Sequence, residues 1–298
     1  MKPFRRPEGK AADMNMLRTA LSDGTTLLMP NVWDVRSAQV ALESGFSVVG
    51  TSSAAIAAVL GGGDAEQTSV DDMMGWNRRI VRAVSPSSVN VDLESGYGLS
   101  AAEIADVVRD IGCAGINIED SNHDGDGSQL DRKTQAIKLA EIGAHFEKIP
   151  GRPVLTARVD SMLDLIHEGT YGDSPLADGR VDDCVERALA YLHAGADVVF
   201  PIGLNSRRQF QRFFARVPAR STSLLIPFLD NRIDFVRGLG VTRISFGGTS
   251  RDASDDSFRH RLRRLGGNAG PLRLAIRAGS GWLGRRLIPL NHGLENEG

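Results

Sequence analysis

Short apolar runs, each ending in a small polar loop, recur eight times along this chain, and that recurrence limits its fold more than any other feature. They fall at 27–31, 48–53, 89–94, 115–120, 154–160, 198–201, 224–227 and 243–248. Most are apolar at successive positions instead of alternate ones, which suits parallel strands covered on both faces. About 20 to 45 residues separate one run from the next, and these carry helical spacing. Helices are expected over 15–21, stopped by Gly24, over 37–44, ended by Gly45, over 101–111, capped at Gly112, and over 182–193, closed by Gly195. This is the arithmetic of an α/β chain forming a (β/α)8 TIM-type barrel with an N-terminal helix. A doubly wound open sheet would want a G-x-G-x-x-G turn after an early strand. The nearest candidate, Gly61-Gly62-Gly63, follows a helix-like alanine stretch instead.

The expected organisation is a flexible tail at 1–13, a barrel at 14–265 and an atypical C-terminal extension at 266–298. The extension is glycine-rich and basic, and it is read as packing on the barrel or on a neighbouring subunit. A chain of 298 residues can bury such a core without staples. The net charge of −2 argues against nucleic acid and anionic membrane surfaces as partners. Cys113 and Cys184 lack metal-ligand spacing and read as small core residues in a reducing compartment. No apolar span approaches membrane length, and the polar N-terminus lacks a signal-peptide core, so a cytoplasmic protein is expected.

A barrel places its working residues just after its strands, and this chain's polar residues cluster there. The third run, V-D-L-E-S-G-Y-G (91–98), ends in Asp92 and Glu94 and then a glycine-rich turn. In extended chain that spacing turns both carboxylates to one face. Such a pair needs a cation between its members, unless the turn is merely a solvated acidic one. Glu119 after the fourth run and Asp64 after the second bring the carboxylates to four, with no thiol or histidine cluster. Hard oxygen ligands of this kind favour Mg²⁺, or Mn²⁺, over zinc. The cation would chelate a 2-oxo acid and stabilise the enolate left when a bond to C3 breaks. Arg158 is placed to clamp a second anionic group, or else to pair with Asp160 or Asp92. Ser52 and nearby N–H groups are candidate donors to the enolate oxygen. The polar 121–131 loop reads as a lid, a solvated excursion, or a calcium loop begun by Asp124 and Asp126. His123 on it is either an acid/base group or simply solvent-facing.

The motifs N-V-W-D-V-R-S-A (31–38), G-F-x-x-x-x-T-S-S ending at Ser53, Gly61 to Asp64, V-D-L-E-S-G-Y-G, G-I-N-I-E-D (115–120) and A-R-V-D (157–160) occur in this order. Over about residues 14–250 the chain resembles the isocitrate lyase/phosphoenolpyruvate mutase superfamily. The resemblance implies a barrel, usually oligomeric, with Mg²⁺ and an α-oxo-acid enolate. It implies that Asp92 binds the metal directly and that Asp64, Glu94 and Glu119 bind it through water. Ser52 would be the enolate-side donor and Arg158 the anion clamp, with Trp33, Asp34 and Ser53 also facing substrate. Members commonly swap their last helix between subunits.

The K-[KR]-C-G-H loop of the superfamily's isocitrate and methylisocitrate lyases is absent, as is the lysine that follows E-D in phosphonopyruvate enzymes; Ser121-Asn122-His123 stands there instead. The expected function is therefore a Mg²⁺-dependent carbon–carbon lyase or decarboxylase of a small 2-oxo- or 2-hydroxy-dicarboxylate, acting as a dimer or tetramer. Phosphonopyruvate hydrolase or mutase chemistry is the alternative, as is a non-catalytic member that binds metal and oxo acid.

Overall fold

The computed structural model describes residues 15–85, 88–123, 128–170, 172–228 and 230–268. The 1–13 tail, the 269–298 part of the extension, and Asp124 and Asp126 lie outside the described residues.

Eight parallel strands close on themselves. β1 is interrupted: Leu27–Leu28 and Asn31–Val32 flank Met29 and Pro30. Proline has no N–H to give a ladder, yet its carbonyl accepts from the Gly50 N–H at 3.0 Å, so the strand passes from one neighbour to the other. Its first half pairs with β8 (Arg243–Ser245), its second with β2 (Val48–Thr51). The ring continues through β3 (Ser88–Asp92), β4 (Gly115–Glu119), β5 (Val154–Val159) and β6 (Val198–Pro201). A bridge between Val199 and Thr222 joins β6 to β7 (Ser223–Leu225), which pairs with β8. The closed ring is the (β/α)8 barrel that the recurring runs imply.

Eleven α-helices occur among the described residues. α1 (Asn15–Ser22) lies beneath the barrel, and α2 (Val35–Glu43) and α3 (Ser53–Leu60) follow β1 and β2. α4 (Val70–Val84), α5 (Ala101–Ile111), α6 (Arg132–Phe146), α7 (Leu163–Glu168), α8 (Pro175–His193), α9 (Arg207–Phe214) and α10 (Ile233–Gly238) continue the wrap. α11 (Thr249–Asn268) ends the described chain and runs past residue 265. α8 begins well before residue 182, because Ser174 caps it and Pro175 occupies its first turn. No described helix is long and apolar enough to cross a membrane.

The main core lies between strands and helices, with Ile80 and Val84 of α4, Ile104 and Val108 of α5 and Val181 and Val185 of α8 facing the sheet. Cys113 and Cys184 are buried, and burial pushes the Cys113 thiol up to about 12, so neither is a nucleophile. The barrel interior is polar, unlike the apolar strands read from sequence. Arg243, fully buried, reaches from β8 to Ser223 Oγ (2.8 Å), Thr156 Oγ1 (3.4 Å) and Asn117 Oδ1 (3.3 Å). Asn117 Oδ1 also accepts from Asn90 Nδ2 at 2.9 Å. Burial pulls the Arg243 guanidinium down to about 10, against the pull of the Asp92 charge. A buried cation surrounded by neutral acceptors remains charged at neutral pH, beneath the acidic rim.

α1 plugs the floor. Leu17 packs with Met29, Val48, Ala114, Val154 and Val198. Gly115 is required there, since a Cβ would sit 2.8 Å from the Val154 carbonyl oxygen and 2.9 Å from Leu17 Cδ2. Arg18 fixes the plug by bonding Asp197 Oδ1 at 3.0 Å and the Arg152 carbonyl. Asp197 also accepts from Arg152 Nη1 (2.6 Å) and the Leu155 N–H (2.9 Å). Burial alone would raise the Asp197 carboxyl, but these donors outweigh it and hold it below its ordinary value. A depressed carboxylate stabilises the fold above its unfolded pKa of about 3.9 and loses that contribution as pH falls through the folded value. Asp197→Asn is expected to lower the unfolding free energy at pH 7 by about 2 kcal/mol. The gap to the parent chain should narrow in urea titrations repeated near pH 3.

Candidate functional site

β3 stops pairing at Asp92, the last residue of the strand. Glu94 lies beyond it at φ 48°, in the left-handed region. Its carboxylate is therefore aimed by the turn and not by β alternation, which corrects the pleat argument from sequence. Asp92 Oδ2 accepts from the Ser53 hydroxyl (2.9 Å) and the Ser53 N–H (3.2 Å). The same hydroxyl lies 3.4 Å from Asp64 Oδ1, so Ser53 draws the carboxylates after β2 and β3 together.

Glu66 completes this side of the rim. Its N–H donates to Glu94 Oε2 at 2.6 Å. Its own Oε1 accepts from Ser95 Oγ and the Tyr97 N–H, both at 2.7 Å. Tyr97 returns its hydroxyl to Glu94 Oε1. Burial drives the Glu94 carboxyl up to about 7; the Tyr97 and Glu66 hydrogen bonds oppose this, and the charges of Asp64 and Asp92 add to it. Four of the five non-glycine residues at positive φ among the described residues are Ala65, Glu66, Glu94 and Tyr97. Each such residue costs about 1 kcal/mol, so strain is concentrated here.

On the adjoining strand, where the Glu119 N–H donates to the Glu94 carbonyl at 2.9 Å, the β4–β5 register sets Glu119 beside Arg158. Glu119 is buried between the Arg158 guanidinium, which pairs with its Oε2, and His123 Nε2, 2.5 Å from its Oε1. Burial pushes Glu119 up to about 7; Arg158 and His123 pull it down, while Asp160 and Asp92 push it further up. Its contact with Glu119 makes His123 face the site from the loop base, and that hydrogen bond raises it above its ordinary value. Arg158 Nε also donates to Asp160 Oδ1 at 2.7 Å. Burial works against the charged guanidinium, but Asp160 and Glu119 hold its pKa well above normal. The ion pair with Asp160 foreseen from sequence is present, and the side chain keeps 19% of its surface exposed.

The remaining expected residues have structural duties. Ser52 is buried as the N-cap of α3, but its bond to the Ala55 N–H is long at 3.4 Å, which leaves the hydroxyl weakly held. The Asp34 carboxylate caps α2 through the Ser37 N–H at 2.6 Å. Trp33 packs on the core and its carbonyl accepts from Trp76 Nε1 at 2.8 Å. Sequence reasoning missed Glu66, whose only signal is its place two residues after Asp64. A cavity of about 310 Å³ on the outer side of Asp160, bounded by Ser161 and His167, was not foreseen either.

Among the described residues no three acidic, histidine or cysteine side chains gather to grip one ion directly. A small hard cation that keeps most of its waters needs only one or two direct carboxylates. An all-oxygen rim whose like charges push Glu94 and Glu119 upward has the chemistry for that mode of binding.

The phosphoenolpyruvate phosphomutase family model matches residues 17–265. An uncharacterized protein of Mycobacterium tuberculosis is 30% identical over 244 residues, covering 81% of this chain and 85% of that protein. The probable 2-methylisocitrate lyase 2 of Corynebacterium glutamicum is 32% identical over 225 residues, covering 74% of this chain and 66% of that one. The crystal structure of 2,3-dimethylmalate lyase, a PEP mutase/isocitrate lyase superfamily member, superposes with a TM-score of 0.72 over 91% of this chain and 93% of that one. At 22% identity that likeness speaks for the fold.

The strain at the rim gives a direct test. Ala65 is exposed at φ 61°, where glycine is unhindered. Ala65→Gly is expected to raise the melting temperature by about 2 °C, read by calorimetry; a drop would show that no strain resides there.

Proposed function

We propose, from the premise that the chain belongs to the phosphoenolpyruvate phosphomutase family, that it is a metal-dependent carbon–carbon lyase or decarboxylase of a small 2-oxo- or 2-hydroxy-dicarboxylate. The observation that carries this reading is one rim holding Asp92, Glu94 and Glu119 beside a partly exposed Arg158. The name of the Corynebacterium relative points to the same bond class.

Asp92 would hold Mg²⁺ or Mn²⁺ directly, with Asp64, Glu94 and Glu119 reaching it through water. Such a cation, when bound, supplies positive charge to a developing enolate. Arg158, its guanidinium already fixed by Glu119 and Asp160, would orient the substrate through its far carboxylate. The weakly held Ser52 hydroxyl would donate to the enolate oxygen. When the bond to C3 breaks, its electron pair remains with the enolate, and a proton must return to C3. His123, tied to Glu119 through Nε2, would supply that proton from Nδ1, and for a 2-hydroxy acid would first take up the hydroxyl proton there.

The expected outcome is turnover of oxaloacetate or a 2-alkylmalate with Mg²⁺ and none after chelation. Asp92→Asn should lower kcat/KM by at least about 100-fold, and Arg158→Lys should act mainly through KM. No turnover of any member of such a panel would remove this reading. Phosphate released from phosphonopyruvate would put P–C bond chemistry, the namesake of the family, in its place. Oxalate binding without turnover would instead mark a member that binds and does not catalyse.

The protein is further proposed to act as a dimer or tetramer, with no nucleic-acid or membrane partner and in the cytoplasm. Phe258, Leu262 and Leu265 stand exposed on α11 at helical spacing, and a second copy of the chain is the proposed cover. Phe258→Ser with Leu262→Ser is expected to shift the mass measured by light scattering to that of one chain.

A further inference from the structure

Asp120, the last residue of the G-I-N-I-E-D motif, has no part in the chemistry above, although it is fully buried. Its Oδ1 accepts from the Asp160 N–H and from Gln129 Nε2, both at 3.0 Å. Its Oδ2 accepts from the Tyr191 hydroxyl at 2.7 Å and from Arg187 Nη1 at 3.2 Å. Burial and the Asp160 charge push the carboxyl up, and the bonds from Gln129 and Tyr191 oppose them. Replacing a buried ion pair by apolar groups of similar size is often neutral or stabilising. Fold stability alone therefore gives weak grounds for keeping this one.

The contacts supply another ground. Asp160, whose N–H Asp120 fixes, is the residue that holds Arg158 Nε. The other Asp160 oxygen accepts from Ser121 Oγ at 2.6 Å. Arg187 Nη1 also donates to the Leu130 carbonyl at 2.8 Å, and the Leu130 N–H donates to the Asp120 carbonyl at 2.8 Å. One carboxylate thus ties α8 to the base of the loop after β4 and to the support of Arg158.

We propose that Arg187 and Tyr191 of α8 are positioning residues which, through Asp120 and Asp160, hold the Arg158 guanidinium at the angle needed to receive the carboxylate of a small dicarboxylate. The proposal rests on the reading of Arg158 as the anion clamp. It adds two residues from outside the barrel mouth, neither of which touches substrate. Tyr191→Phe removes one hydrogen bond to Asp120 and keeps the ring; Arg187→Lys keeps the charge and loses the planar fork.

The test is calorimetric titration of the full chain with Mg²⁺ alone and then, at saturating Mg²⁺, with oxalate, which has only the chelating end, and with 3,3-difluorooxaloacetate, which adds the far carboxylate, beside thermal melts. Asp197→Asn, at the barrel floor, serves as a destabilised control. Both α8 variants are expected to weaken difluorooxaloacetate binding about tenfold while Mg²⁺ and oxalate affinities change less than about twofold. The control should change none of them. Wild-type difluorooxaloacetate affinity in both α8 variants would overturn the inference and leave the proposed function standing, as would an equal loss in the control. A wild-type chain that binds Mg²⁺ but neither acid would overturn both.

Discussion

Glu119 and Arg158 face one another because the β4–β5 ladder ends on that pair, and the charges of the whole mouth are arranged around it. A carboxylate buried at the end of a strand would take up a proton unless a cation stood beside it. Arg158 does so, with His123 on the other side and Asp160 gripping the guanidinium from behind. The guanidinium is thereby fixed in direction, while 19% of the side chain's surface stays exposed. An arginine free to swing would lose that freedom each time it met an anion.

The adjoining stretch of the same rim has the reverse problem. Asp64, Asp92 and Glu94 are met by hydroxyl and N–H donors. Lys138 donates to the Ser95 carbonyl beside them, and Arg243 lies inside the barrel, where neutral side chains accept from it. Burial of Glu94, the mutual repulsion of the acids and the left-handed residues of the two turns all disfavour this rim as a purely structural element. The first two costs fall if a cation completes the group.

Much of the fold was legible because a parallel strand covered on both faces leaves a mark in sequence that chain-distant packing does not erase. The runs at 89–94, 115–120 and 154–160 contain β3, β4 and β5, which end at Asp92, Glu119 and Val159. The polar interior was not legible: Asn90, Asn117 and Arg243 each sit alone in an apolar run, and nothing local shows that they meet. Likewise the early start of α8 was hidden by Gly179, although Ser174 and Pro175 carried the signal. Glu66 in the rim and Tyr191 behind it bond partners 28 and 71 residues away, a separation no spacing rule spans.

The sequence by itself determined that carboxylates and an arginine stand at the ends of successive strands, because strand period and loop chemistry are local properties. Only the tertiary structure decided which of them meet and how each is held. Register, the left-handed turns at Glu94 and Tyr97, and the buried reach of Asp120 to α8 arise from ring closure. The physical reason is that a side chain's charge and bonding are set by neighbours brought in by the other strands and helices, and those neighbours exist as such only once the barrel is closed.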